Sequence, residues 1–248
     1  MTSRAAFWPF PRLLAHRGGG ALAPENTLAG LRLATRLGFR GTEFDVKLTA
    51  DGVPVLMHDD SLERTTSGHG PMAAADALAV SGLDAGSWFG QAFASERVPT
   101  LEAAAGLCRA LGLWANVEIK PCPGRETETG TAVARAAMRL WAGDRNPPLL
   151  SSFSAAALAA AQAAAPLLLR GLLVVDPPDD WRAVVAGLGC AALHLQHDRA
   201  TAELVAAAHA AGYGVLCYTV NDPERAAVLT ELGVDCIVTD RLDLFEPA

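Results

Sequence analysis

The chain has 248 residues, 51% of them hydrophobic and 19% charged, and a formal net charge of −7. This composition excludes a disordered or fibrous polymer, and the length suits one barrel of alternating strands and helices with a sizeable core. Net acidity without any Lys/Arg-rich stripe argues against nucleic acid as the main partner.

The stretch from Met1 to Pro11 lacks a continuous apolar run, so no secretory signal is expected and the predicted location is cytoplasmic. Cys108, Cys122, Cys190, Cys217 and Cys236 are odd in number, widely spaced and without a Cys-x-x-Cys pair. They predict free thiols in a reducing compartment, and neither a disulfide framework nor a zinc cage.

Strand candidates recur at barrel spacing: 13–16, 42–47, 114–120, 149–153, 171–175, 192–196, 214–220 and 236–239. Helix-like segments lie between them, for example 26–37 closed by Gly38, 154–165 closed by Pro166, 201–211 closed by Gly212 and 223–232 closed by Gly233. The uncharged run 146–169 is interrupted by Pro147, Pro148, Gln162 and Pro166 and is mostly alanine. It reads as strand, helix and strand, with no stable membrane insertion. Eight such alternations predict a closed parallel α/β fold, the (β/α)8 TIM barrel. An open doubly wound sheet also alternates, but Gly18-Gly19-Gly20 lacks the spacing of its phosphate-binding fingerprint. The glycine run reads instead as a turn that lets backbone pass close to a ligand.

The segment 53–99 breaks the alternation, with a hairpin-type turn at Asp51-Gly52, a short strand at 54–57 and a polar, turn-rich stretch at 59–70. We expect a single domain over 1–248 with a small subdomain inserted after the second strand, serving as a lid or substrate-selecting cap.

In Glu43-Phe44-Asp45 and Glu118-Ile119-Lys120 the charged residues stand two apart, so on strands they share one face while Phe44 and Ile119 take the other. Three converging carboxylates repel unless a divalent cation compensates them, and oxygen-only ligands favour Mg2+ or Ca2+ over zinc. Taken singly, each acid also reads as a solvated strand-end residue. His16 and Arg17 end the first strand, and His58 ends the short extra one. Two imidazoles beside one metal site and two cations, Arg17 and Lys120, suggest acid–base chemistry at phosphorus. Alone, either histidine reads as structural; the combination reverses that. His69, His194, His197 and His209 receive no role.

Ala15-His16-Arg17-Gly18, Pro24-Glu25-Asn26-Thr27, Glu43-Phe44-Asp45-Val46, Val55-Leu56-Met57-His58-Asp59, Arg64-Thr65-Thr66, Val117-Glu118-Ile119-Lys120, Tyr218-Thr219-Val220-Asn221 and Thr239-Asp240 together resemble the motif series of glycerophosphodiester phosphodiesterases. The likeness runs in order from about Leu13 to Phe245 and is nearest the cytoplasmic bacterial type. It implies His16 and His58 as the acid–base pair, Glu43, Asp45 and Glu118 as metal ligands, and Arg17 and Lys120 on the phosphate. It also implies attack of the glycerol 2-hydroxyl on phosphorus, release of the head-group alcohol and hydrolysis of a cyclic phosphate. Gln196, and Tyr218 where the family often has tryptophan, either touch the glycerol or pack. Asn26 reads as the cap of the helix that follows. Trp88 and Phe89 either line a head-group pocket or anchor the insertion.

The expected activity is metal-dependent hydrolysis of glycerophosphodiesters to glycerol 3-phosphate and an alcohol. The alternatives are the same chemistry on lysophospholipids, or a silent barrel that only binds phosphate esters. A zinc hydrolase is disfavoured because the first strand carries His-Arg and not two histidines spaced for one metal.

Overall fold

Alternation along a strand sends every second side chain into a barrel and the rest under its helices. A computed structural model describes residues 8–247; residues 1–7, which hold most of the stretch read for a secretory signal, lie outside the described residues. The strands are β1 (Leu13–Ala15), β2 (Gly41–Leu48), β3 (Pro54–Leu56), β4 (Trp114–Ile119), β5 (Leu149–Ser152), β6 (Arg170–Val174), β7 (Ala192–Gln196), β8 (Gly214–Tyr218) and β9 (Cys236–Thr239). All except β3 are parallel, and the ring closes because β1 pairs with both β2 and β9. This is the predicted TIM barrel, with β3 added antiparallel to β2.

The helices are α1 (Leu28–Arg36), α2 (Ala77–Ser81), α3 (Leu101–Leu111), α4 (Glu126–Leu140), α5 (Ala155–Ala164), α6 (Trp181–Gly187), α7 (Ala202–Ala210) and α8 (Pro223–Leu232). Side-chain oxygens of Thr27, Thr100, Ser154 and Thr201 accept from backbone N–H groups in the first turns of α1, α3, α5 and α7. Gly112 and Gly233 end α3 and α8 in the left-handed conformation. The cap of α1 is therefore Thr27 and not Asn26, because Asn26 is held elsewhere, on Asp45.

Phe44, Val46, Val117 and Ile119 point outward and pack with Leu101, Ala104, Cys108 and Val133 of α3 and α4. Burying a phenylalanine such as Phe44 contributes about 1.5–3 kcal/mol. The interior is different. Trp8, Leu14, Trp114, Leu149, Leu216 and Val238 form one cluster, with the Phe10 and Trp114 rings stacked at 4.3 Å. Within the barrel, burial pushes His194 down to about 3, so its ring is neutral, and the missing side chain of Gly171 makes room for it.

The chain from β3 up to α3 gathers Val55, Met57, Leu62, Met72, Val80 and Val98 into a core of its own. It is tied to the barrel by Leu56 N–H donating to the Pro99 carbonyl at 2.8 Å and Ala29 N–H donating to Glu96 at 3.0 Å.

The Gly18-Gly19-Gly20 run packs against α1 and the end of β9. A Cβ on Gly19 would come within 3.0 Å of the Gly30 Cα. Gly20 sits at φ +55°, and a Cβ there would run into the Asp240 carbonyl. Gly20→Ala is accordingly expected to lower stability by about 1–3 kcal/mol, read from chemical denaturation.

Candidate active site

On β2, Glu43, Asp45 and Lys47 face inward at successive levels, and Asp45 lies beside Glu118 in the β2–β4 register. The barrel thereby brings carboxylate oxygens of Glu43, Asp45 and Glu118 within 4.8 Å of one another, all three buried. Burial, reinforced by the Asp45 charge, pushes Glu118 up to about 7. Burial and the charges of Asp45 and Glu118 likewise hold Glu43 well above the usual carboxylate range. Asp45 is the exception: burial would raise it, but Lys120 and Arg17 outweigh burial and hold it below its ordinary value.

Asp45 is also fixed by Asn26, whose Nδ2 donates to Oδ2 at 2.9 Å and whose Oδ1 accepts the Asp45 N–H at 3.1 Å. Asn26 and Arg17 both adopt positive φ, 57° and 48°, a conformation asparagine tolerates and arginine adopts only at a cost. That bend aims the Arg17 N–H at Glu43 Oε2, 3.1 Å away. The Arg17 side chain donates to Glu25 at 2.9 Å and lies 3.5 Å from Asp45. Lys120 Nζ reaches Glu118 at 3.1 Å and Asp45 at 3.3 Å.

Each histidine at the mouth is held by an aspartate. His16 Nδ1 lies 2.6 Å from Asp240 Oδ1, and Asp240 is held in turn by Asn221 through its side chain at 3.0 Å and its backbone N–H at 2.8 Å. A carboxylate only accepts, so Nδ1 carries the proton and Nε2 faces Glu43 Oε2 at 3.8 Å. His58 Nδ1 lies 2.6 Å from Asp59 Oδ1. Burial depresses His58 despite Asp45 and Asp59, leaving a neutral ring with its Nε2 lone pair available. The sequence motifs include Asp59 and Asp240 without a role for either. The adjacency of Asp59 to His58 was a signal, whereas Asp240 meets His16 only because β9 closes on β1.

The structure thus brings His16, Arg17, Glu43, Asp45, Glu118 and Lys120 into one cluster, with His58 at its edge. A cleft of about 750 Å3 lined by His58, Asp60, Glu63, Lys47 and Lys120 opens beside it. A smaller groove bordered by Glu118, Lys120, Pro121 and Phe153 adjoins it at Lys120. Lys47 is almost fully buried, its ammonium 2.5 Å from Asp60.

Gln196 and Tyr218 are register partners at the ends of β7 and β8. The Tyr218 hydroxyl donates to the Val174 carbonyl at 2.9 Å, and its ring meets Phe153 edge-on at 5.8 Å. Tyr218→Phe is therefore expected to cost about 1 kcal/mol of stability, read by thermal melting, while KM changes little. Trp88 and Phe89 meet edge-on at 5.6 Å, as do Phe89 and Phe93 at 5.5 Å. His209, on α7, bonds Asp235 at 2.7 Å.

The donor set fits a divalent cation. Glu43 Oε1 is buried and accepts no hydrogen bond, the neighbouring donors are all oxygens, and the mutual repulsion of the acids is what a hard cation relieves.

The chain matches the Glycerophosphoryl diester phosphodiesterase family over residues 16–244. A glycerophosphodiester phosphodiesterase of Caldanaerobacter subterraneus subsp. tengcongensis is 33% identical over 236 residues, covering 92% of this chain and 93% of that protein. An Oleispira antarctica phosphodiesterase, solved in complex with the product sn-glycerol-3-phosphate, is 41% identical, covers 93% of each chain and superposes with a TM-score of 0.89. A glycerophosphodiester phosphodiesterase structure from Agrobacterium tumefaciens is 28% identical, covers 96% of this chain and 99% of that one, and gives a TM-score of 0.79. The chain therefore belongs to the glycerophosphoryl diester phosphodiesterase family and is an enzyme of that class.

Proposed function

We propose that this phosphodiesterase hydrolyses glycerophosphodiesters to sn-glycerol 3-phosphate and an alcohol, using His16 and His58 as the acid–base pair at a divalent-cation site. The observation that carries this reading is the trio of buried carboxylates within 4.8 Å of one another, flanked by two aspartate-held imidazoles and two cations. The product bound by the 41% identical Oleispira antarctica relative supports the choice of product.

Glu43, Asp45 and Glu118 would hold the ion, for which Mg2+ and Ca2+ suit the all-oxygen donor set. A bound dication supplies charge neutralisation at the phosphoryl oxygens and lowers the pKa of the attacking hydroxyl. His16, with Nδ1 committed to Asp240, presents Nε2 to give or take a proton at one side of phosphorus. His58 does the same with Nε2 at the other, where the cleft accommodates the head group. Arg17 and Lys120 orient the phosphate oxygens and stabilise their charge.

In this reading the chain works as one domain, with the segment 53–99 as its cap. Five buried free cysteines support a reducing, cytoplasmic setting, and among the described residues no helix is long and apolar enough to cross a membrane. The deciding assay measures glycerol 3-phosphate release from glycerophosphocholine and lysophosphatidylcholine, with Mg2+, with Ca2+ and with chelator. Metal-dependent release from the deacylated substrate is expected. Preference for the lysolipid would reassign the substrate, and background rates with every ion would leave only a phosphate-ester-binding barrel.

A further inference from the structure

The Arg64-Thr65-Thr66 motif lies in the insertion and has no part in the chemistry described so far. Its arginine is nevertheless the most heavily bonded cation at the mouth. Arg64 Nε and Nη2 donate to the two oxygens of Asp59 at 2.5 and 2.8 Å. Nη1 and Nη2 donate to the two oxygens of Glu25, both at 2.8 Å. One planar guanidinium thus grips two carboxylates along two of its edges, a geometry that the single ammonium of a lysine cannot reproduce.

Both carboxylates are already committed to site residues. Asp59 Oδ1 takes the proton-bearing Nδ1 of His58 at 2.6 Å, and Glu25 Oε1 takes Arg17 Nη1 at 2.9 Å. A continuous chain therefore runs from His58 through Asp59, Arg64 and Glu25 to Arg17. It joins a residue at the rim of β3 to one at the rim of β1, with its only insertion-borne cation in the middle.

We infer that Arg64 is a positioning residue: it sets the ring orientation and tautomer of His58 through Asp59 and the reach of the Arg17 guanidinium through Glu25, without touching substrate. The inserted segment is then part of the catalytic framework as well as a cap. Glu25 and Asp59 without Arg64 would be two acids facing one another across the mouth, each free to rotate away from its partner. The inference rests on the proposed roles of His58 and Arg17, and the experiment separates the two ideas.

Steady-state kinetics are measured for Arg64→Lys and Arg64→Ala, alone and in Glu25→Gln and Asp59→Ala backgrounds, with thermal melts on each protein. Nitrogen-15 NMR of the histidine rings in Arg64→Lys reports the His58 tautomer. We expect either Arg64 variant to lower kcat/KM by about 10- to 100-fold, the range seen when the residues orienting a site's ligands are lost. The loss should divide into a lower kcat and a higher KM. In the Glu25→Gln background Arg64→Ala should raise KM no further while still lowering kcat; in the Asp59→Ala background it should do the reverse. Protonation at Nδ1 of His58 should give way to a tautomer mixture in Arg64→Lys. An unchanged His58 spectrum, or kcat and KM per folded molecule equal to the parent's, overturns the inference. If His58→Ala or Arg17→Ala keeps full activity, the proposed chemistry fails instead, and the spectrum still decides whether Arg64 orders the ring.

Discussion

His16→Ala is expected to lower turnover about 100-fold or more while leaving the fold intact, because a positioned general acid–base group contributes on that scale. The ring makes no contribution to the outer cores: it hangs from the end of β1, and its one short bond is to Asp240 at 2.6 Å. Its removal leaves Asp240 still held by Asn221 through two hydrogen bonds, so no buried group is stranded and the melting temperature should move little. Asp240→Asn should cost less than loss of the ring. The amide presents an acceptor to Nδ1 only in one of its two orientations, so the productive tautomer is populated for part of the time. The measurement is kcat for release of glycerol 3-phosphate, alongside thermal melts. Near-parental turnover in His16→Ala, or a loss accompanied by unfolding, would remove His16 from the chemistry.

How much of this site is legible in the sequence depends on how local the determinant is. Glu43 with Asp45, and Glu118 with Lys120, announce themselves because the two-residue repeat of a strand puts both members of each pair on one face. The barrel could be read for the same reason, since its eight parallel strands alternate with helices closed by glycine or proline. Long-range determinants left no such mark. Asp240 serves His16 across 224 positions, through a closure between β1 and β9 that no local pattern encodes. Arg64 reaches Glu25 across 39 positions from within an irregular segment. Asn26 and Thr27 are both good capping residues in adjacent positions. What separates them is that Asp45 needs a donor and an acceptor from one side chain, which an amide supplies and a hydroxyl at Thr27 does not reach. The glycine run reads as a turn that lets backbone pass close to a ligand, and the tightest neighbours that side chains there would meet are the Asp240 carbonyl, Ala23 and Leu242.

Removal of divalent cations is expected to reduce hydrolysis to background, and the same acids make the effect on stability depend on pH in a defined direction. Glu118 is lifted from an ordinary value of 4.5 to about 7 by burial and the Asp45 charge, and Glu43 is raised for the same kinds of reason. Between about pH 4.5 and 7 these two carboxyls bind more protons in the metal-free folded protein than in the unfolded chain, so their contribution to stability falls as pH rises through that window, against the depressed His194 and His58, whose contribution rises. The sign is opposite to that of a salt-bridged carboxylate. Asp45, held low by Lys120 and Arg17 against its burial, works the other way but completes its titration at lower pH. A dication takes the place of the protons, so it should raise the melting temperature clearly at pH 8 and only slightly at pH 5.5, and its binding should release protons near neutrality. Thermal melts with chelator, Mg2+ and Ca2+ at the two pH values read the first effect. Calorimetry in buffers of different ionisation enthalpy reads the second. Glu118→Gln should remove part of the proton release, Glu43 supplying the rest, and stabilise the metal-free protein at pH 8, since it deletes one of three mutually repelling charges. A metal-induced shift of equal size at both pH values, or full hydrolysis in chelator, would take the cation away from these carboxylates.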